Sequence, residues 1–152
     1  MGTVLDTTVF VELQRATRGL PPGQAMQTVS ARLRDRLGGG EEVAIASITA
    51  SELLHGVHRA AHEHRARREA FVEAVLSAFP ALSFDLLVAR VHARLCADLA
   101  SSGTDVQAHD RIVAATAISA GWRVGSANTC QFSRIPGLDV TLISLGGDDQ
   151  PE

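Results

Sequence analysis

The sequence predicts an α/β domain of three layers (α/β/α), with a central parallel sheet flanked by helices, and three observations carry that prediction. Short apolar runs at 3–5, 43–46, 122–125 and 138–143 have the length and near-continuous hydrophobicity of strands buried on both faces. Longer stretches with apolar residues at helical spacing lie between them, so that strands alternate with helices. Gly and Pro punctuate the boundaries at 19–23, 38–40, 80, 103 and 121. At 152 residues and 45% apolar content, the chain suits one domain, expected over 1–145, with an acidic tail at 146–152 expected to be disordered.

The first strand runs directly into Asp6, and a helical pattern follows through Val9 and Leu13 until the Gly-Leu-Pro-Pro-Gly turn at 19–23. Residues 24–37 place Met26, Val29, Leu33 and Leu37 at helical spacing and stop at three glycines. After the second strand, a polar start at Ser47 opens another helix, and helical character continues over 58–78 to Pro80, with an apolar stripe of Phe71, Val75 and Phe79. The best helical pattern is 84–102, where Val88, Val91, Leu95 and Leu99 form a packing stripe ahead of Gly103. A helix of small residues at 110–120 follows, then the third strand, a loop at 126–132 and the last strand.

Composition removes several function classes. The net charge of −3 excludes a general basic surface for nucleic acid, so any such contact is local. All 14 basic residues are Arg, which excludes mechanisms that need a lysine at phosphate, the P-loop among them. Cys96 and Cys130 have neither disulfide-framework nor zinc-knuckle spacing and are expected to be free thiols. No apolar run reaches the ~18 residues of a membrane span, and no signal-peptide pattern opens the chain, so the expectation is a soluble, cytoplasmic protein.

Three acids stand at comparable places: Asp6 after the first strand, Glu52 in the first turn after the second, and Asp110 in the first turn of the small-residue helix. Ligands of open α/β sheets bind beyond the carboxyl ends of the strands. Carboxylates converging there repel one another unless a cation lies between them, and an all-oxygen site suits Mg²⁺ or Mn²⁺. Such a cation activates water and neutralises phosphoryl charge, which points to phosphodiester hydrolysis without a nucleophilic side chain. The competing account is three separate helix caps, with Glu52 reaching back to the Thr49 amide in a capping box.

The stretches VLDTTVFVELQ, ITASELLHGV, AHDRIVAATAISAGW and GSANTCQFSRIPGLDV resemble, in order and across positions 4–140, the signature stretches of PIN-domain ribonucleases, and most of all the VapC toxins of bacterial toxin–antitoxin pairs. The resemblance implies a PIN-like fold and an endoribonuclease using Mg²⁺ or Mn²⁺, with Asp6, Glu52 and Asp110 as catalytic metal-binding acids. It also implies an RNA substrate, a VapB-like antitoxin whose C-terminal segment enters the cleft, and a homodimer. The chain departs from the family in the last stretch, where a terminal acid is usual and Gln131 stands; an amide offers a carbonyl oxygen but no charge. Ser126, Asn128 and Gln131 are the candidates for direct or supporting contacts to metal or substrate.

Other features have competing readings. His55, His58 and His62 at i, i+3 and i+7 could share a helix face that binds a transition metal or is simply solvated. Arg59, Arg65, Arg67 and Arg68 beside them suit phosphate contacts or an exposed face. Phosphoacceptor and dehalogenase-like domains also place acids at strand ends, but they use a lysine that this chain lacks. The alternative function is a PIN-fold RNA- or protein-binding module weakened in catalysis by Gln131.

Overall fold

Four residues, Gly2–Leu5, form β1, and all four are buried. Burial on every side follows from position, because β1 lies at the centre of a parallel sheet ordered β3-β2-β1-β4-β5. The computed structural model describes residues 1–144, and the acidic tail expected at 146–152 lies outside them. The remaining strands are β2 (Glu42–Ala46), β3 (Ala81–Leu82), β4 (Arg123–Ser126) and β5 (Val140–Leu142). The helices are α1 (Thr7–Ala16), α2 (Pro22–Leu37), α3 (Ser47–Arg59), α4 (His62–Ala78), α5 (Leu86–Ser101) and α6 (Ala108–Ala120). No helix among the described residues is long and apolar enough to cross a membrane.

Successive side chains of a strand point to opposite faces, and β1 and β2 feed two cores in this way. Leu5, Ile45 and Ile143 pack with α1, α2, α3 and α4 through Phe10, Leu13, Val29, Val57, Phe71 and Val75. Val4, Ala46 and Val124 pack on the other face with α5 and α6 through Val88, Leu95, Leu99, Val113 and Ala117. This is the three-layer α/β/α arrangement read from the sequence. Each fully buried Leu or Ile contributes about 1.5–3 kcal/mol relative to exposure, so neither core is dispensable.

The small residues of α6 let it lie close to the sheet, and Gly121 ends it in the left-handed conformation at φ 70°. At the sheet's amino end, Thr3 donates to Glu41 at 2.8 Å, and the Arg123 guanidinium reaches both Glu41 and Thr3. This clasp ties β1 to β4 and to the segment leading into β2, away from the carboxyl end.

Several boundaries differ from the sequence reading. The helical run expected through 58–78 is broken: α3 ends at Arg59 and α4 begins at His62, so His62 leaves the helix that carries His55 and His58, and the three histidines share no single helix face. Pairing of Ile45 and Ala46 with Ala81 and Leu82 adds β3, a strand absent from the reading. The helix expected from 84 starts at Leu86, because the Asp85 carboxylate caps it by accepting from the Val88 amide. The third strand takes in Ser126, and the last shortens to Val140–Leu142.

Gly125 of β4 pairs with Leu5 and Thr141. A Cβ there would lie 2.5 Å from Ile143 Cδ1 and 2.9 Å from both Leu5 Cδ2 and Thr3 Cγ2. Those neighbours come from β1 and from the residue just beyond β5, are packed in the interior and cannot all withdraw. Gly125→Ala is therefore expected to destabilise the protein by about 1–3 kcal/mol, the usual scale of overpacking, as a lower urea midpoint at unchanged slope.

Candidate active site

The chain steps outward from β1 to β2 and β3 on one side and then crosses from β3 to β4 on the other side of β1, which makes the gap between β1 and β4 the switch point of the sheet, where open α/β folds bind ligands. Asp6 follows β1 at that gap and Ser126 ends β4. The Asp6 amide donates to the Gly125 carbonyl at 3.0 Å, which holds the two strand ends together beyond their ladder.

The Asp6 carboxylate is only 4% exposed, and its oxygens are supplied with donors by short hydroxyl side chains. One oxygen accepts from the Thr8 hydroxyl at 2.6 Å and the Thr8 amide at 3.1 Å; the other accepts from Ser126 Oγ at 3.0 Å. Asp6 thus caps α1, as the simpler sequence reading had it, and also presents a carboxylate at the switch point. Thr8 Oγ1 accepts from the Ala127 amide and Ser126 Oγ from the Asn128 amide, so the start of the 126–132 loop is fastened to the same cluster.

Glu52 is the sixth residue of α3, beyond the first turn in which the sequence reading placed it. The cap position belongs to Ala46, with no side-chain cap, and Thr49 Oγ1 is buried without a partner. The Thr49–Glu52 capping box is therefore absent. Glu52 instead faces the cleft, where Oε1 accepts from Thr7 Oγ1 at 2.8 Å and Oε2 lies 3.4 Å from His109 Nδ1. Asp110 comes from the first turn of α6, beside His109.

Charge links the three acids through Asp110, which acts on Asp6 and is acted on by Glu52. Burial, the larger cause, pushes Asp6 up to about 6, with Asp110 adding to the rise and the hydrogen bonds from Thr8 and Ser126 opposing it. Asp110 is also raised, first by burial and then by the charge of Glu52, while His109 lowers it. Negative charge therefore accumulates, and His109 at the rim offsets it only in part. Among the described residues no three His, Cys, Asp or Glu side chains close into a cage for a metal ion.

The other candidates are placed differently. Ser126 is buried on Asp6. Asn128 is exposed, and its Oδ1 accepts from the Cys130 amide at 3.2 Å. The Gln131 carbonyl accepts from the Gln107 amide at 3.1 Å, and Gln107 is the cap residue of α6. The amide that stands where the family usually has an acid therefore binds the start of the helix carrying Asp110. Arg111 keeps its Nε buried and unpartnered. Thr7, Thr8 and His109 were not singled out in the sequence; adjacency to Asp6 and Asp110 was the signal that could have found them.

The sequence model of the PIN domain matches residues 3–138. Ribonuclease VapC1 of Rickettsia felis is 32% identical over 145 residues, covering 95% of this chain and 98% of that protein. The tRNA(fMet)-specific endonuclease VapC of Salmonella typhimurium is 34% identical over 96 residues, covering 63% of this chain and 71% of that protein. Among solved structures, a chain of the DNA-bound VapBC of Salmonella typhimurium superposes with a TM-score of 0.76 at 27% identity, covering 95% of this chain and 99% of that one.

Two outcomes follow from this geometry. A carboxylate whose folded pKa is raised weakens the fold above that pKa, and the penalty disappears as pH falls toward its unfolded value. Without divalent metal, Asp6→Asn is expected to exceed the parent in stability by up to about 3 kcal/mol at pH 7.5, the free-energy equivalent of a carboxyl raised from 3.8 to about 6. Urea titrations from pH 7.5 down to pH 4 should show that difference closing. Gln131→Ala removes an acceptor from the α6 cap and is expected to cost about 1 kcal/mol, whereas Gln131→Glu, which keeps the acceptor, should recover most of the lost urea midpoint.

Proposed function

This chain belongs to the PIN-domain family, within its VapC ribonucleases, and we propose that it is a metal-dependent endoribonuclease toxin that hydrolyses RNA phosphodiester bonds and is silenced by a VapB-like antitoxin. Supporting this most directly is the meeting of Asp6, Glu52 and Asp110 at the switch point, where burial and mutual charge raise two of the three. The reading includes a homodimer.

The donor set fits Mg²⁺ or Mn²⁺ by its chemistry. These are hard cations that take oxygen ligands, and Mg²⁺ commonly keeps several waters while using one or two carboxylates. Acids that share a cleft without closing into a three-ligand cage suit that habit. When bound, the metal supplies neutralising charge at the phosphodiester and a water acidified for attack. Asp6, Glu52 and Asp110 are the residues that would hold it.

The chain's own contribution is positioning. Thr8 and Ser126 fix both oxygens of Asp6, and Thr7 fixes one oxygen of Glu52, so neither acid has to be reorganised when the cleft fills. His109 stands against the other Glu52 oxygen at the exposed rim. Intact acids at all three positions favour catalysis over the binding-module alternative. For the antitoxin, an arginine is a suitable plug, since a guanidinium pairs with carboxylates and competes with the metal for them.

Asp110→Asn should abolish Mg²⁺- or Mn²⁺-dependent RNA cleavage by antitoxin-free protein while leaving the far-UV circular dichroism unchanged. Expression of the parent chain alone should arrest bacterial growth, and Asp6→Ala should restore it. Cleavage at the parental rate by Asp110→Asn would remove this acid from the site.

A further inference from the structure

We propose that the corner where α3 meets α4 binds the RNA backbone and holds the strand that runs out of the acidic cleft; the inference rests on the RNA-cleaving function proposed above. The need for such a surface is electrostatic. A cleft lined by carboxylates, in a chain of net charge −3, repels a polyanion. Affinity for RNA comes mainly from cationic side chains at phosphates, so it has to be supplied beside the cleft.

One region of the chain has the required charge. Between 55 and 68 lie four arginines and four histidines against a single acid, Glu63. Glu63 is itself beside His64 at 3.6 Å. Arg59, Arg65 and Arg67 are exposed.

The region is also joined to the cleft by one helix. Glu52 and Arg59 stand at i and i+7 on α3, which puts them on the same face, roughly 10 Å apart along the axis at 1.5 Å per residue. Two arginines of α4 cross to the end of that helix: Arg68 Nη1 donates to the Gly56 carbonyl at 3.2 Å, and Arg65 Nη2 donates to the Ala60 carbonyl at 3.2 Å. They answer the unpaired carbonyls and negative dipole of the α3 C-terminus, yet each uses only one of its five N–H donors there. Arg59 and Arg67 have no ion pair among the described residues. The outcome is a cluster of guanidinium groups, from both helices, at the C-terminal end of the helix that carries Glu52, and guanidinium forks match phosphate oxygens.

Arg59→Gln/Arg67→Gln removes two cations that hold nothing else in the fold, and Arg94→Gln, exposed on α5 in the opposite layer, is the control. Binding of a fluorescent single-stranded oligoribonucleotide in EDTA is measured by anisotropy across a salt series, and cleavage of the same oligonucleotide is followed with Mn²⁺. The double variant should bind several-fold more weakly, and its salt slope should be shallower by about 1.4, from about 0.7 per lost phosphate contact on a single strand. KM should rise at unchanged kcat, and Arg94→Gln should match the parent. A parental affinity and salt slope in the double variant overturn the inference. So does a loss confined to binding of a poly-glutamate peptide, which would make the corner a docking site for acidic protein. If the parent binds but does not cut, and the double variant still loses affinity and slope, the corner stands and the cleavage reading falls.

Discussion

A carboxylate that is 4% exposed has to be hydrogen-bonded by something, and around Asp6 that requirement organises the carboxyl edge of the sheet. Its donors are Thr8, in the first turn of α1, and Ser126, at the end of β4. Satisfying Asp6 therefore fixes the start of a helix, the end of a neighbouring strand and the first residues of the loop beyond it. The same burial that demands these donors also raises the acid's pKa, because the hydroxyls offset only part of the desolvation. Strain of this kind persists where the surrounding structure over-determines it, and here two cores and a sheet-end clasp do so.

Much of the architecture is legible in the sequence because its signals are local. Short apolar runs such as Val43 to Ala46, set between turn and helix signals, read as buried strands, and the stripe Val88, Leu95, Leu99 marks one face of one helix. The two-residue β3 is not legible, since Ala81-Leu82 carries no pattern and becomes a strand only by pairing with Ile45 and Ala46. Nor is the break between α3 and α4 visible at Ala60-Ala61, where both residues favour helix; side chains bridge the interruption from beyond it, Arg65 to the Ala60 carbonyl five positions back and Arg68 to the Gly56 carbonyl twelve positions back.

The candidate site divides the same way. Asp6, Glu52 and Asp110 can be picked out because acids after strands or early in helices are few. Their supports cannot be ranked from sequence, since hydroxyls such as Ser126 and Thr8 are common and their bond to Asp6 spans 120 positions in one case and two in the other. The Thr49–Glu52 spacing imitates a capping box, but the cap position is Ala46, three residues before Thr49, and spacing alone does not single out the cap. Gln131 shows a third kind of limit. Its chemistry as an acceptor is readable, while its partner, the Gln107 amide, is decided by how the 126–132 loop lies against α6.

The three acids come from three layers: Asp6 from the sheet, Glu52 from the helical layer of α1 to α4, and Asp110 from the layer of α5 and α6. Chain order adds a temporal dimension, since domains form as units during synthesis and the N-terminal part emerges first. Asp6 and Glu52 leave the ribosome early, but the cleft has no third acid until α6 is made and no seat for Asp6 until Ser126 arrives. A nascent chain stopped anywhere before that point holds only fragments of the cleft. The layered placement of the acids thus ties completion of the cleft to completion of the fold, since the last of its supports is made only when nearly all of the chain has been translated.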